Sequence, residues 1–376
     1  MTGEATSESG PIRLGSYELV RPLAQGGMAS VYLARRLDVD SHVAVKLLSR
    51  THADADARSM FLEEARIATL LDHENIARVF DIDITSDGQH YLAMEYVHGA
   101  DLRELLSAAA HANRPLPYET TIAIIMAAAT GLDHAHNRCD PHGKPLRIVH
   151  RDVSLSNIMV GYDGVVKVVD FGIATTALRT IQTLPGVVRG KASYMAPEQC
   201  LGDRVDRRAD VFALGIVLYE LATGARCFSG SNDFDRMLSV VRGDYVSPHD
   251  VVAKFPSELG HVIRCALATD PSRRFPSAAA LADALGCVLS DRGWTGGGAA
   301  IAHAMAVLFG EVPEPRSIAL ASSSTTERHF IQTPFAGPTV PSLRLARGTE
   351  PPVVIDDDEQ TRGRRPLRRP PRLALV

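Results

Sequence analysis

The chain has 376 residues, of which 45% are hydrophobic and 22% charged, so it is long enough to bury a sizeable core and to form two lobes and a tail. Its formal net charge of -4 and pI of about 6.4 argue against a general nucleic-acid-binding surface. The five cysteines are odd in number and scattered, which indicates reduced thiols. Because neither a signal peptide nor a membrane segment is evident, we expect a cytoplasmic protein.

The first 96 residues predict a short N-terminal segment followed by a small antiparallel sheet with one helix. Residues 1–16 are rich in Gly, Ser, Thr and Glu, and we expect them to be disordered. A helix is predicted over 58–71, because apolar residues recur on one of its faces. Strand patterns occupy five stretches, at 17–23, 31–35, 42–48, 76–82 and 90–96, with a glycine turn after the first.

Beyond Gly99 the pattern becomes helical. The segment 210–223 is apolar on nearly every side, which predicts the central helix of a larger lobe. Asp210 stands at its N-terminus, where a role as N-cap would explain it. Further helices are predicted over 102–110, 120–136, 257–268 and 277–290. A lobe of strands followed by a helical lobe predicts an α+β fold with a cleft between the lobes.

The C-terminal part differs in composition from the rest. An appended segment, 291–312, contains one more predicted helix at 299–308. From 313 to 376 the chain is rich in Pro, Ser, Thr and Arg, with six arginines between Arg362 and Arg372. We expect a disordered, solvated tail, although contact with acidic partners or lipids is the alternative.

The stretch from residue 150 to residue 172 carries the chemistry. Two motifs flank a β-branched run that favours a strand, namely His150-Arg151-Asp152 with Asn157, and Asp170-Phe171-Gly172. Each acid alone is compatible with a turn or a cap. Together, two carboxylates and an amide around one strand outline a site for Mg²⁺ and phosphate. The arrangement resembles the catalytic loop and the metal-binding loop of eukaryotic-like protein kinases.

This resemblance implies roles for the polar residues. Asp152 would accept or orient the proton of a substrate hydroxyl, while Asn157 and Asp170 would hold Mg²⁺ or Mn²⁺. Lys46 ends a V-A-V-K strand, where an exposed edge lysine is the alternative interpretation. Glu64 falls on the inward face of the predicted helix and needs a cation there. Lys46 would therefore pair with Glu64 and reach the α- and β-phosphates of ATP.

The nucleotide loop departs from the family pattern, because Ala24 and Ala29 stand where glycines are usual. Alanine forced to a positive φ costs about 1–2 kcal/mol, so we expect weaker or less ordered nucleotide binding. Met94-Glu95-Tyr96-Val97 matches the family's hinge, although an ordinary strand end has the same pattern. The remaining nucleotide contacts implied by the resemblance are Gly26, Gly27, Val31 and Ala44.

A second departure lies beside the catalytic aspartate. Ser/Thr kinases usually carry a lysine at the position of Ser154 and a threonine at that of Lys191. We hypothesise that Lys191 supplies the positive charge that position 154 lacks and neutralises the γ-phosphate during transfer. An exposed loop lysine is the alternative.

Two later motifs resemble structural motifs of the family, namely Ala196-Pro197-Glu198, which ends the activation segment, and the sequence from Asp270 to Arg274. Glu198 is expected to pair with a buried Arg274. A phosphothreonine between residues 172 and 190 would dock on Arg151, and Thr183 is the candidate. His134, His136, Cys139 and His142 follow no standard zinc spacing, so a loop after a helix end is the preferred interpretation.

The resemblance covers residues 17–290, with a first lobe at 17–96 and a second at 97–290, and is closest to bacterial eukaryotic-like (Hanks-type) Ser/Thr protein kinases. It implies transfer of the γ-phosphoryl group of ATP to Ser or Thr hydroxyls of proteins, with self-association for autophosphorylation in trans. The alternatives are a pseudokinase scaffold, whose altered loops bind nucleotide poorly, and a kinase for small molecules.

Overall fold

The computed structural model describes residues 12–26, 29–49, 55–171, 191–312 and 315. The described chain forms a first lobe of strands with one helix and a second lobe that is mainly helical. Within these ranges no helix is both long enough and apolar enough to cross a bilayer.

A six-stranded antiparallel sheet forms the first lobe, in the order β1-β2-β3-β4-β6-β5. The strand bounds are β1 (Arg13–Leu14), β2 (Tyr17–Gln25), β3 (Ala29–Arg36), β4 (Ser41–Leu48), β5 (Val79–Ile84) and β6 (His90–Glu95). Strand β4 pairs with β3 along one edge and with β6 along the other, so both of its edges are hydrogen-bonded. Lys46 is thereby placed on an interior strand, not on an exposed edge.

Helix α1 (Ala55–Ala68) packs on one face of this sheet through Phe61 and Ala65. The predicted helix ran on to Leu71, which lies beyond the helix end but is still buried at 2% exposure. The predicted strand at 76–82 also starts too early. Ile76 forms an isolated bridge with Val168 of the second lobe, so the strand begins only at Val79.

A small three-stranded sheet opens the second lobe, with β7 (Gly99–Asp101), β8 (Ile158–Gly161) and β9 (Val166–Val168) paired in the order β7-β8-β9. The larger helices are α2 (Leu102–His111), α3 (Tyr118–His136), α5 (Arg208–Thr223), α8 (Ser257–Ala266) and α9 (Ala278–Arg292). Helix α5 is buried from Ala209 to Ala222, as its apolar sequence predicts, and forms the centre of the lobe.

Three helices of the second lobe have no counterpart in the sequence prediction: α4 (Pro197–Leu201), α6 (Asp233–Arg242) and α7 (Pro248–Val251). Two of them are too short to show a period. Helix α6 is longer, and its apolar residues Phe234, Met237, Leu238 and Val241 recur at helical spacing, so this signal was present and was missed.

The appended segment forms α10 (Gly298–Phe309), which packs on the second lobe through buried Ile301 and Met305. Its first residue closely approaches the turn between β8 and β9. A Cβ on Gly164, which has φ +91°, would lie 2.1 Å from the Gly298 carbonyl oxygen. Glycine at 164 therefore permits both the turn and the contact with the appended helix.

Candidate active site

Lys46 joins the two lobes through one ammonium group. Its Nζ donates to Glu64 Oε1 on α1 at 2.8 Å and to Asp170 Oδ1 after β9 at 2.9 Å. The side chains of Lys46 and Glu64 are only 14% and 19% exposed. The predicted pair of Lys46 and Glu64 is thus present, and it lies beside the acid predicted to bind metal.

The charge of Lys46 is maintained by its surroundings. Burial alone would lower the pKa of the ammonium, but the carboxylates of Asp170 and Glu64 outweigh it and hold the pKa above its usual value. Lys46 is therefore a fixed positive charge at the junction of the lobes, suited to pair with a phosphate oxygen.

The loop before β8 brings Asp152 and Asn157 together. Asn157 Nδ2 donates to the carbonyl oxygen of Asp152 at 2.8 Å and to its Oδ2 at 3.0 Å. The amide of Asn157 thus fixes the orientation of the Asp152 carboxylate, while the Asn157 Oδ1 accepts a long bond of 3.4 Å from Ser156. The arrangement provides an oriented carboxylate next to an amide oxygen.

The main chain ties this loop to Asp170. The amide of Val169 donates to the carbonyl of Asn157 at 3.0 Å, and His150 Nε2 donates to the carbonyl of Val169 at 3.1 Å. His150 Nδ1 accepts from the amide of Asp152 at 3.3 Å, which is consistent with a proton on Nε2. The structure therefore brings Asp152, Asn157 and Asp170 to one place in the cleft, together with Lys46.

Two residues of this region have left-handed backbone, Arg151 at φ +64° and Asp170 at φ +53°. For residues with a side chain this conformation costs about 1–2 kcal/mol and needs support from the surroundings. Asp210 on α5 provides part of that support. It accepts from the amides of His150 and Arg151, each at 2.8 Å.

The interpretation of Asp210 as an N-cap is wrong. Helix α5 begins at Arg208 with Arg207 as its cap residue, so Asp210 lies inside the first turn. Its carboxylate points to the loop that carries Asp152 and also accepts from His136 Nε2 at 2.7 Å. Asp210 is a buried anchor of that loop and is 1% exposed.

The nucleotide loop lacks the strain expected from its alanines. Ala24 and Ala29 lie in β2 and β3, and neither has a positive φ. Ala24 pairs with Val31 across the hairpin, and the Gly26 amide donates to the carbonyl of Ala29 at 3.0 Å. Gly27 lies outside the described residues. The steric reason for weak nucleotide binding therefore does not apply to Ala24 and Ala29.

The candidate adenine pocket lies where β6 ends. Ala44 and Met94 are cross-strand partners in one buried cluster, against which Val31 also packs. Val97 follows the strand end at the link between the lobes. The three apolar side chains lie on the α1 side of the sheet, which is the side that Lys46 shares with Glu64.

Sequence reasoning missed how the hinge is held. Lys167 on β9 donates to both carboxylate oxygens of Glu95, at 2.8 and 2.9 Å, and the amide of Arg78 donates to the same carboxylate at 3.1 Å. The only sequence signal was that Lys167 alternates with the buried Val166 and Val168 and so faces away from their core. The contact with Glu95 is too distant in the chain to be inferred from that pattern.

Like Gly27, two further sequence candidates lie wholly or partly outside the described residues. Thr183 and the side chain of Lys191 lie outside what the structure describes, and the main chain of Lys191 begins a short 3₁₀ helix ending at Tyr194. Ser154 is 4% exposed, and its hydroxyl bonds to that of Ser156 at 3.1 Å. Position 154 thus carries no cation, as the sequence shows, and the suggestion for Lys191 stays a prediction.

The predicted pair of Glu198 and Arg274 is present. Nη1 and Nη2 of Arg274 donate to Oε1 and Oε2 of Glu198, each at 2.7 Å, and the Arg274 side chain is 0% exposed. The guanidinium also lies 4.7 Å from the centre of the Phe212 ring on α5. This bidentate pair joins α4 to the core of the second lobe.

The comparisons with known proteins agree with this geometry. A family model described as protein kinase domain matches residues 17–285. The chain is 41% identical, over 74% of its length, to tyrosine-protein kinase MasK of Myxococcus xanthus (strain DK1622), and 35% identical, over 70%, to serine/threonine-protein kinase PrkC of Bacillus subtilis (strain 168). It spans only 43% and 39% of these relatives' lengths.

A solved structure has the same fold. The kinase domain of Mycobacterium tuberculosis PknI is 30% identical, with a TM-score of 0.56, and the match covers 73% of this chain and 97% of that one. The two-lobed α+β architecture predicted from the sequence is confirmed.

Proposed function

This chain belongs to the protein kinase family, and on that premise we propose that it transfers the γ-phosphoryl group of ATP to Ser or Thr hydroxyls of proteins in bacterial signalling, itself included. The observation that carries the proposal is the double contact of Lys46 with Glu64 and Asp170 at 2.8 and 2.9 Å, next to the oriented pair of Asp152 and Asn157. A nucleotide in this cleft would meet one fixed cation and three oxygen-bearing side chains.

Each side chain has a role in positioning ATP and the acceptor. Lys46 would bind the α- and β-phosphates, with Glu64 keeping the ammonium in place. Met94, Val31 and Ala44 would enclose the adenine ring, and the main chain of Glu95 and Val97 would bond its edge. Asp152 would accept the hydrogen bond of the acceptor hydroxyl and take its proton.

Asn157 and Asp170 would hold Mg²⁺ or Mn²⁺, which when bound neutralises the charge on the phosphates. The oxygen donors fit a hard cation, because the amide nitrogen of Asn157 is already bonded to Asp152 and its Oδ1 is turned the other way. Among the described residues there is no group of three or more His, Cys, Asp or Glu side chains suited to a metal. A site with two protein ligands therefore relies on ATP phosphates for the rest, as Mg²⁺ sites in kinases do.

We propose further that Lys191 supplies the positive charge that Ser154 does not, and that a phosphothreonine at Thr183 docks on Arg151. Both ideas rest on sequence position alone. Lys191→Met should lower turnover about a hundredfold if its charge acts on the γ-phosphate, and turnover equal to wild type would remove this role. Phosphosite mapping that finds other residues only would remove Thr183.

A tyrosine acceptor is the second candidate function. A relative that is 41% identical is named a tyrosine-protein kinase, and this chain lacks the lysine usual in Ser/Thr kinases at position 154. The pseudokinase alternative is less well supported, because Lys46, Asp152, Asn157 and Asp170 are all retained and lie together.

The acceptor is identified by phosphoamino-acid analysis. The protein is incubated with γ-labelled ATP and Mg²⁺, alone and with a basic acceptor protein, and hydrolysed in acid. We expect label in phosphoserine and phosphothreonine. Label in phosphotyrosine alone would replace the Ser/Thr assignment by the second candidate. Nucleotide binding without any label would support the pseudokinase.

A further inference from the structure

A cavity of about 740 Å³ lies outside the cleft described above, since Lys46, Glu64, Asp152, Asn157 and Asp170 do not line it. Three segments form its walls: the end of α3 with the residues that follow it, residues 145–151, and the connection between α4 and α5. We call it the arginine cavity, after four of its lining residues, Arg147, Arg151, Arg204 and Arg207.

The charge of the arginine cavity is positive. One carboxylate lines it, that of Asp206, and this group already accepts from Arg208 at 2.7 to 3.1 Å. The hydrogen bonds from Arg208 hold the pKa of Asp206 below its usual value, so the pair is internally neutral. Arg207 also contributes to the lowered pKa of Asp206, and no other carboxylate among the described residues lines the cavity, so guanidinium groups outnumber carboxylates in its wall.

Arg147 and Arg204 are exposed, and within the described part of the chain neither side chain has a hydrogen-bond or ion-pair partner. Arg207 is partly engaged, with the carbonyl of Pro276 at 2.9 Å. Guanidinium groups are planar forks whose geometry matches phosphate oxygens.

Among the residues that the structure describes, two buried polar atoms in the wall also lack a hydrogen-bond partner, namely Nε of Arg151 and Nδ1 of His136. The His136 side chain is 0% exposed, and its other ring nitrogen is held by Asp210 at 2.7 Å. Unpartnered buried polar atoms are uncommon in folded proteins. An acceptor oxygen in the cavity would receive the Arg151 N–H.

We propose that the arginine cavity is a binding site for an oligophosphate. Guanidinium groups from two separate segments line a space far larger than one phosphate, and the buried Nε donor of Arg151 adds a contact for an anion with several oxygens. Such a ligand would join the α4–α5 connection, through Arg204, to the residues just before Asp152, through Arg147 and Arg151. It would thereby stabilise the loop that carries Asp152 without occupying the nucleotide cleft.

The test measures binding of inorganic tripolyphosphate to the full chain by calorimetry, with a non-hydrolysable ATP analogue and Mg²⁺ in excess to fill the cleft. Arg147→Gln/Arg204→Gln is compared with Arg138→Gln/Lys144→Gln. The second variant removes two exposed charges from the neighbouring segment, which do not line the cavity. Both variants have the same net charge, so general attraction of anions is equal. A second arm replaces tripolyphosphate by O-phosphothreonine.

We expect the cavity variant to weaken tripolyphosphate binding at least about tenfold, because two charge-assisted contacts are lost, while the control variant binds as wild type. Tighter binding of phosphothreonine than of tripolyphosphate, lost in the same variant, would assign the site to a phosphorylated side chain and overturn the oligophosphate. Equal weakening in both variants, or no binding to wild type, would also overturn the proposal. Thermal melts without ligand verify that each variant is folded.

Discussion

Lys46 makes the ionic contacts that join the two sides of the cleft. Its ammonium donates to the carboxylate of Glu64 on α1 and to that of Asp170, which follows β9. Asp170 lies 124 positions after Lys46 in the chain. Because its pKa is raised, the charge and the stability that it contributes are present at all pH values below the ordinary lysine pKa of about 10.4, and are lost only when the pH rises through the folded value. Lys46 should therefore not titrate near neutral pH.

Replacing Lys46 tests this role. We expect Lys46→Met to lower the rate of phosphoryl transfer by at least about a hundredfold, since a preorganised cation is lost from the phosphates. Lys144→Met, at an exposed position, should leave the rate unchanged. Initial rates with labelled ATP provide the comparison, and a Lys46→Met rate within a few-fold of wild type would contradict the assignment.

Asp210 predicts a pH dependence of stability. Burial would raise its pKa, but the hydrogen bond from His136 and the amide of His150 lower it below the usual value. A lowered folded pKa means that the contribution is present above the unfolded pKa of about 4 and is lost as the pH falls through the folded value. Asp210→Asn should cost about 2 kcal/mol at neutral pH.

The gap between Asp210→Asn and wild type should narrow as the pH falls below about 4. Urea unfolding at neutral pH and at acid pH measures both free energies. A gap that stays constant, or widens in acid, would contradict the direction of the pKa shift.

The buried pair of Glu198 and Arg274 makes a different prediction. Glu198→Gln leaves a fully buried guanidinium without its charge partner, which typically costs about 3–5 kcal/mol. Glu258→Gln breaks an exposed pair with Arg292 and should change stability little. Denaturant unfolding of both variants measures the difference, and equal effects would show that burial of the first pair has no energetic consequence.

At the scale of elements, the sequence predicts the bounds of helices and strands well where apolar residues recur regularly over a long stretch. Strand β4 and helix α5 were predicted within two residues of their observed bounds, because an interior strand and a central helix have strong apolar patterns. Helix α6 was missed although Phe234, Met237, Leu238 and Val241 recur at helical spacing, so here the signal was present in the sequence. The end of α1 was misplaced because Leu71 remains buried after the helix has stopped.

Helix α10 should contribute to the stability of the second lobe. Met305 is 0% exposed, so Met305→Ala should lower the free energy of unfolding by about 2–5 kcal/mol. Val307→Ala on the same helix, where the side chain is 44% exposed, is the matched control and should cost far less. If both variants melt like wild type, α10 does not pack on the lobe as described.

At the scale of the whole molecule, the sequence could predict which residues meet only where a motif linked them. The pairs Lys46 with Glu64 and Glu198 with Arg274 were predicted in that way and are present. The contacts of Lys167 with Glu95 and of His136 with Asp210 join residues 72 and 74 positions apart without a motif. Such contacts depend on the packing of whole elements, which local patterns do not encode.

The central claim is that Lys46, Asp152, Asn157 and Asp170 form one phosphoryl-transfer site. The most direct measurement is the incorporation of γ-phosphate from labelled ATP into the protein and into a basic acceptor, for wild type and for Asp152→Asn at equal nucleotide saturation. We predict incorporation by wild type and a rate lower by at least about a hundredfold for Asp152→Asn. Equal incorporation by the two proteins would contradict the account.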